Sequence, residues 1–408
     1  MPFAVGDATP LDESLAVFGL LLVGGALISG LTHRSFLSLT ALYVVAGFAL
    51  GDAGVGVIDF DPTSGFVATL TVIALVVILF RDGLEVEREM LQEAWRPPLR
   101  KLALGMPITA ALVACAAKGL TDLSWTECFL LGALLAPTDP VLSSTVVTNP
   151  RVPRLVRHSL NLESGMNDGL ALPAVIALVS SLAADGDGFV WWEFVLQDVG
   201  VGLATGLIVG FAGSALLPSG KVLGEEVAPH QKALYAIGVG FSAYGLAVLP
   251  PQGNGFIAVF VCAIVLGIRR PDVRVCFERR SEDIIEIVKL GVFVVFGSVL
   301  TVEGLFTDGL AAVALVACVF LVARPVAVFV SLAGTRIDTP TRAFMAWFGP
   351  RGVATMTFAL LVLNEGVPGG EQIFNLAALT VFASILVHGL TDTPGANWLV
   401  RRAEATAA

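Results

Sequence analysis

Apolar runs close to 20 residues long recur from one end of this 408-residue chain to the other. About 20 residues of helix cross the roughly 30 Å of a bilayer's hydrocarbon core. Lipid offers backbone groups no partners, so such runs must pair their own N–H and C=O groups as helices. A mean hydropathy of +0.84 and a charged share of 14% exclude an ordinary soluble domain, where charged residues make up about a quarter. The expected fold class is an all-α polytopic membrane protein of about 13 transmembrane helices. The spans read as 15–32, 37–53, 64–80, 102–118, 126–147, 158–183, 190–215, 231–250, 253–268, 283–301, 309–331, 342–363 and 372–390. Residues 1–408 then form a single membrane domain. Spans one to six cover about 15–183, a linking seventh about 190–215, and spans eight to thirteen about 231–390. A short cytoplasmic tail, 391–408, is expected to follow.

The loop charges test this count. With the N-terminus outside, one set of alternate loops holds Arg34; Arg81, Arg88, Arg96, Arg100 and Lys101; Arg151, Arg154 and Arg157; Lys221 and Lys232; Arg269, Arg270, Arg274, Arg279 and Arg280; Arg336 and Arg342; Arg401 and Arg402. These are 20 of the 24 basic residues, and the opposite loops hold only Lys118. One span missed or invented would scramble this bias. The positive-inside rule puts that set, with the C-terminus, in the cytoplasm. Met1 to Ser14 carries three acids and no Lys or Arg, unlike a cleaved signal, so the first span is expected to be retained. A multi-pass protein of the cell (plasma or inner) membrane follows.

Two spans carry helix breakers. The fifth contains Pro137-Thr138-Asp139-Pro140; two prolines within four residues should unwind a helix there. Asp139 is read as an ion-path carboxylate, a role that coexists with capping the following half-helix. The twelfth contains Trp347-Phe348-Gly349-Pro350-Arg351-Gly352. If spans 1–6 and 8–13 are two halves, each is broken in its fifth helix. Paired interruptions of this kind mark an inverted-repeat architecture whose site lies where helices 5 and 12 cross.

The sixth span holds Glu163-Ser164-Gly165-Met166-Asn167-Asp168-Gly169. An Asp at a helix centre costs roughly 2.5–3.5 kcal/mol on insertion scales, so such groups read as an ion or proton path. Residues four apart share a helix face. Glu163 and Asn167 therefore stack on one stripe, Ser164 and Asp168 on the next. Oxygens of Ser164, Asp168, Thr138 and Asp139 suit an alkali cation, and nothing here suits a transition metal. Asn167 is expected to tie down the unwound part of span five. Glu163 is expected to pair with Arg324 of span eleven as a structural ion pair, with a direct transport role the alternative. Arg351 either satisfies freed carbonyls, neutralises local acids or snorkels. Lys289 either snorkels beside Glu286 or compensates charge near the site.

Other readings find less support. No basic domain exists for nucleic acid, and no cofactor motif is present. Cys115, Cys128, Cys262, Cys276 and Cys318 are scattered without a CxxC and read as small buried hydrophobes. An intramembrane enzyme with Ser164 as nucleophile or His388 as base is disfavoured, because Ser164 lacks a Gly-x-Ser-x-Gly turn and His388 lies near the cytoplasmic end of the last span. A cation channel would show filter carbonyls or charged rings. His33, His158 and His230 read as solvated loop groups.

Thr138-Asp139-Pro140, the Glu163–Gly169 motif, Ala323-Arg324-Pro325 and Gly349-Pro350-Arg351-Gly352 together resemble the NhaP branch of the cation:proton antiporters, relatives of the animal sodium/proton exchangers. The resemblance spans essentially the whole membrane domain. It implies a homodimer, each protomer having a dimerisation bundle and a six-helix core. It also implies Asp168 as the main ion- and proton-binding carboxylate, with Asp139, Thr138 and Ser164 near it, and Glu163–Arg324 as a stabilising pair. The expected partners are Na⁺ (or K⁺ or Li⁺), H⁺ and the lipid bilayer. Asn167-Asp168, in place of two acids, implies one-for-one electroneutral exchange, with an electrogenic or K⁺-selective antiporter as the alternative.

Overall fold

A computed structural model describes residues 19–20, 22–23, 39–86, 96–139, 146, 149–183, 188–218, 227–280 and 282–407. Most of the first predicted span, Pro140 and nearly all of the distal part of span five, and the basic residues Arg34, Arg88 and Lys221 with His33 lie outside the described residues.

The described elements are helical, and no strand occurs among them. Apart from a single helical turn at Val302–Leu305, they are in chain order α1 (Leu39–Leu50), α2 (Gly65–Glu85), α3 (Arg96–Leu120), α4 (Trp125–Leu135), α5 (Arg154–Ala183), α6 (Trp191–Leu216), α7 (Pro229–Val248), α8 (Gly255–Arg269), α9 (Pro271–Arg280), α10 (Glu282–Val299), α11 (Gly309–Ser331), α12 (Thr339–Trp347), α13 (Val353–Asn364) and α14 (Gly370–Ala407). Among the described residues, six are long and apolar enough to cross a membrane: α2, α3, α5, α6, α11 and α14. The apolar helices α4, α8 and α13 are shorter.

Local chemistry sets several starts. Ser124 Oγ accepts from the Glu127 N–H while Glu127 Oε2 accepts from the Ser124 N–H, at 3.3 and 2.6 Å. That reciprocal capping box begins α4. Asn254 Oδ1 caps α8 through the N–H groups of Phe256 and Ile257. Packing relies on small residues, as expected where lipid is as apolar as leucine. Gly47 of α1 lies against the backbone of Val294 in α10, and Gly206 of α6 against that of Ala258 in α8, with no room for a Cβ. Trp191, Trp192, Leu203, Ile208 and Phe211 of α6 face outward, the surface a lipid-contacting helix presents.

Three boundaries differ from the sequence reading. Helix α2 runs on to Glu85, so Arg81 and Asp82 belong to the span and Arg81 is not a loop cation. Helix α3 begins at Arg96, so Lys101 lies inside it and is 1% exposed. Pro97 and Pro98 fall in its first turn, where a proline blocks no hydrogen bond. The twelfth span is two separate helices, α12 and α13, interrupted at the breakers the sequence reading singled out. The tail after residue 390 continues α14, and Ala396, Leu399 and Val400 pack with Phe344, Phe348 and Val156 in a second, smaller core.

Candidate ion-binding site

The two interrupted segments meet. Helix α4 ends at Leu135, and Pro137 denies the helix a further backbone donor. The N–H of Asp139 donates instead to the carbonyl of Pro350, 2.8 Å away in the break between α12 and α13. Asp139 Oδ2 accepts from the N–H of Val353, the first residue of α13, at 3.2 Å. The carboxylate thus caps a half-helix of the twelfth span, where the sequence reading placed the half-helix of its own span. Gly352 is pressed against the Asp139 carboxylate so closely that a Cβ has no space. From the other side, Thr355 Oγ1 donates to the freed carbonyl of Leu134 at 3.2 Å.

The α12–α13 break is also sewn to α14. The Arg351 N–H donates to Ser384 Oγ at 2.7 Å, and Ser384 Oγ lies 3.2 Å from His388 Nδ1. His388 Nε2 lies 2.9 Å from the carbonyl of Trp347. His388 Nδ1 also lies 2.9 Å from the carbonyl of Ser384, so each ring nitrogen faces a backbone carbonyl. Arg351 itself is fully buried and does not snorkel. Its Nη1 donates to Gly349 O at 2.8 Å, a carbonyl its own break has freed.

Helix α5 crosses this junction and presents two stripes. On one, Asn167 Nδ2 donates to Thr138 O at 2.8 Å and to Thr138 Oγ1 at 3.1 Å, while its Oδ1 has no protein donor among the described residues. One turn earlier, Glu163 is clasped by two cations. Arg324 Nη1 reaches Oε1 at 2.5 Å and Nη2 reaches Oε2 at 3.1 Å. Lys101 Nζ reaches Oε2 at 2.5 Å and also donates to Ser159 O at 3.1 Å. Arg324 is therefore not Glu163's only partner.

The neighbouring stripe carries Ser164 and Asp168, both buried. Asp168 lies in the field of two further buried acids, Asp82 of α2 and Asp139. Gly165 lies against the Asp82 carbonyl, which brings α2 and α5 together at this level. Asp82 is held by Arg81, whose Nη2 and Nε stand 2.7 and 3.0 Å from Oδ1. Lys289 of α10 lies in the field of Arg81, Asp139, Asp82 and Glu85. Its charged surroundings are those of the site.

Thr138, Asp139, Ser164, Asn167 and Asp168 thus converge at one crossing, and Glu163, Arg324 and Arg351 brace it. The sequence reading gave Asp82, Lys101, Ser384 and His388 no place there. The Arg81-Asp82 step was the available signal: a paired acid and base inside an apolar run is a buried ion pair as readily as a loop boundary. Among the described residues no cluster of three or more His, Cys, Asp or Glu is arranged to hold a metal ion. A weakly bound alkali cation has a different donor set, the hydroxyl, carbonyl and carboxylate oxygens just named.

The sodium/hydrogen exchanger family, transmembrane, matches residues 19–398. The chain is 27% identical over 400 residues to the K(+)/H(+) antiporter NhaP2 of Shewanella oneidensis, covering 96% of this chain and 68% of that protein. It is 28% identical over 359 residues to the Na(+)/H(+) antiporter NhaG of Bacillus atrophaeus, covering 82% and 66%. Its fold matches the sodium proton antiporter MjNhaP1 of Methanocaldococcus jannaschii at pH 8, with a TM-score of 0.82 and 18% identity over 96% of this chain and 100% of that one.

Proposed function

This chain belongs to the sodium/hydrogen exchanger family, and we propose that it exchanges Na⁺, or K⁺ or Li⁺, for H⁺ by alternating access at one shared carboxylate site. The family and its relatives make it a monovalent cation:proton antiporter of NhaP type. The observation that carries the site assignment is the crossing itself: Asp139 joins the two breaks, and Asn167 fixes Thr138 one turn from Glu163 and beside Asp168.

Asp168 is the exchanging group, with Thr138, Ser164 and Asp139 contributing oxygens to the cation. A carboxylate out of water needs either a proton or a cation to compensate it, so the two displace each other. The Asp82 carboxyl, in whose field Asp168 lies, is a second group able to receive or supply one. The loaded six-helix core moves against the dimerisation bundle and opens the site to one face at a time. Two inverted six-span halves, a homodimer, a cytoplasmic C-terminus and residence in the cell membrane complete the proposal. The broken fifth and twelfth spans support the first of these, and the one-sided loop arginines support the orientation.

Exchange of one cation for one proton is the proposed stoichiometry, from the single Asp of the Asn167-Asp168 pair. The relatives named as K(+)/H(+) antiporters make K⁺ a specific second reading for the cargo. Proteoliposomes carrying a pH-sensitive dye, challenged with Na⁺, Li⁺ and K⁺ with and without an imposed voltage, test cargo and stoichiometry together. Cation-driven proton flux that is unchanged by voltage supports the proposal, and absence of flux with all three cations overturns it.

A further inference from the structure

We propose that Lys101 is a positioning residue that fixes the rotation of α5, and through it the placement of Asp168; the inference rests on the exchanger reading above. One face of α5 carries three rungs at four-residue spacing. Ser159 O bonds Lys101, Glu163 bonds Lys101 and Arg324, and Asn167 bonds Thr138. The rungs reach α3, then α3 with α11, then the unwound end of span five. Asp168 is the residue after the last rung, about 100° around the helix, which turns it away from the braced face towards Asp82 of α2.

The local backbone is built to present these cations. Lys101 opens a π-helical turn, Lys101–Gly105, closed by the Met106 N–H on the Lys101 carbonyl. In α11 a matching turn, Val319–Ala323, is closed by the Arg324 N–H on the Val319 carbonyl. A π-turn inserts one residue and rotates whatever follows, and such turns recur at functional sites. Two of them, in spans four and eleven, each place a cation on the same carboxylate. With Lys101 removed, the Glu163–Arg324 pair remains charge-balanced, so α5 stays in the bundle but loses the clasp that spans Ser159 and Glu163.

The test is cation-driven proton flux in proteoliposomes for wild type, Lys101→Met, Lys101→Gln and Lys101→Arg, using whichever alkali cation the wild type exchanges. Wild-type exchange establishes the underlying reading independently of the variants. The expected result is a KM for the cation raised about tenfold or more in the Met and Gln variants, the effect of removing an outer-shell partner of a cation site. The maximal rate changes by less than about threefold, and Lys101→Arg recovers most of the loss. A wild-type KM in either neutral variant recovered in folded form overturns the inference. So does failure of both to fold while Lys101→Arg exchanges with a wild-type KM, because the role would then be structural alone.

Discussion

The carboxylate of Asp139 accepts a hydrogen bond from the backbone N–H of Val353 at 3.2 Å, across 214 residues of chain. One acid on the interrupted fifth span thereby starts the second half-helix of the interrupted twelfth. The same group caps a helix and, in the proposed function, balances the charge of the cargo, and substitutions separate the two.

Asp139→Asn keeps an oxygen for Val353 and removes the charge. The protein should fold with a Tm within a few degrees of wild type, yet lose cation-dependent proton flux. Asp139→Ala removes the cap as well, and should lower stability further, by about 0.5–2 kcal/mol, as lost helix caps do. Thermal unfolding of the purified proteins beside vesicle flux checks both.

Gly352→Ala forces a methyl group into the space of the Asp139 carboxylate. It should depress exchange severely, whereas an alanine at Gly238, where nothing lies within 4 Å, should leave it intact. Flux normalised to folded protein distinguishes the two.

Glu163→Gln leaves Lys101 and Arg324 buried with their charges uncompensated. Breaking a buried ion cluster in this way costs about 3–5 kcal/mol. The double change Glu163→Gln with Lys101→Met should be less damaging than the sum of the single changes, since it removes one stranded charge. Thermal unfolding of the three variants reads the coupling directly.

Outside the spans, Asp272 of α9 accepts from Arg270 Nε and Nη2 at 2.9 and 3.1 Å, and Lys232 Nζ stands 3.2 Å away. The Arg270 hydrogen bonds hold its carboxyl down at about 2. A carboxylate whose folded value lies below its unfolded value of about 3.9 contributes stability above that pH and loses it as pH falls towards 2. The difference in thermal stability between wild type and Asp272→Asn should therefore be flat above about pH 4 and close on further acidification. A difference that instead grew on acidification would contradict this clamp.

The apolar runs and the breakers are readable because hydrocarbon thickness and proline chemistry act locally. Thr138, Asp139, Glu163 and Asp168 stand out because a polar group inside an apolar span has few roles besides binding or balancing charge. Charges near span ends are harder. Lys101 follows Arg96-Pro97-Pro98 and reads as loop, yet those prolines sit in a helix's first turn. Arg81 and Asp82 look like a boundary, yet α2 continues one more turn to Glu85. The π-turns before Met106 and Arg324 leave no mark in residue type, because an inserted helical residue needs no special side chain. His388 reads only as a poorly placed base; its carbonyl-tying contacts depend on α14 passing the α12–α13 break, which periodicity does not encode.

The central claim is that one acid serves both passengers, and Asp168→Asn tests it most directly. Folded Asp168→Asn in proteoliposomes should show no cation-dependent proton flux at any pH, with wild-type vesicles exchanging in parallel. Exchange persisting in that variant at a rate near wild type would contradict the account.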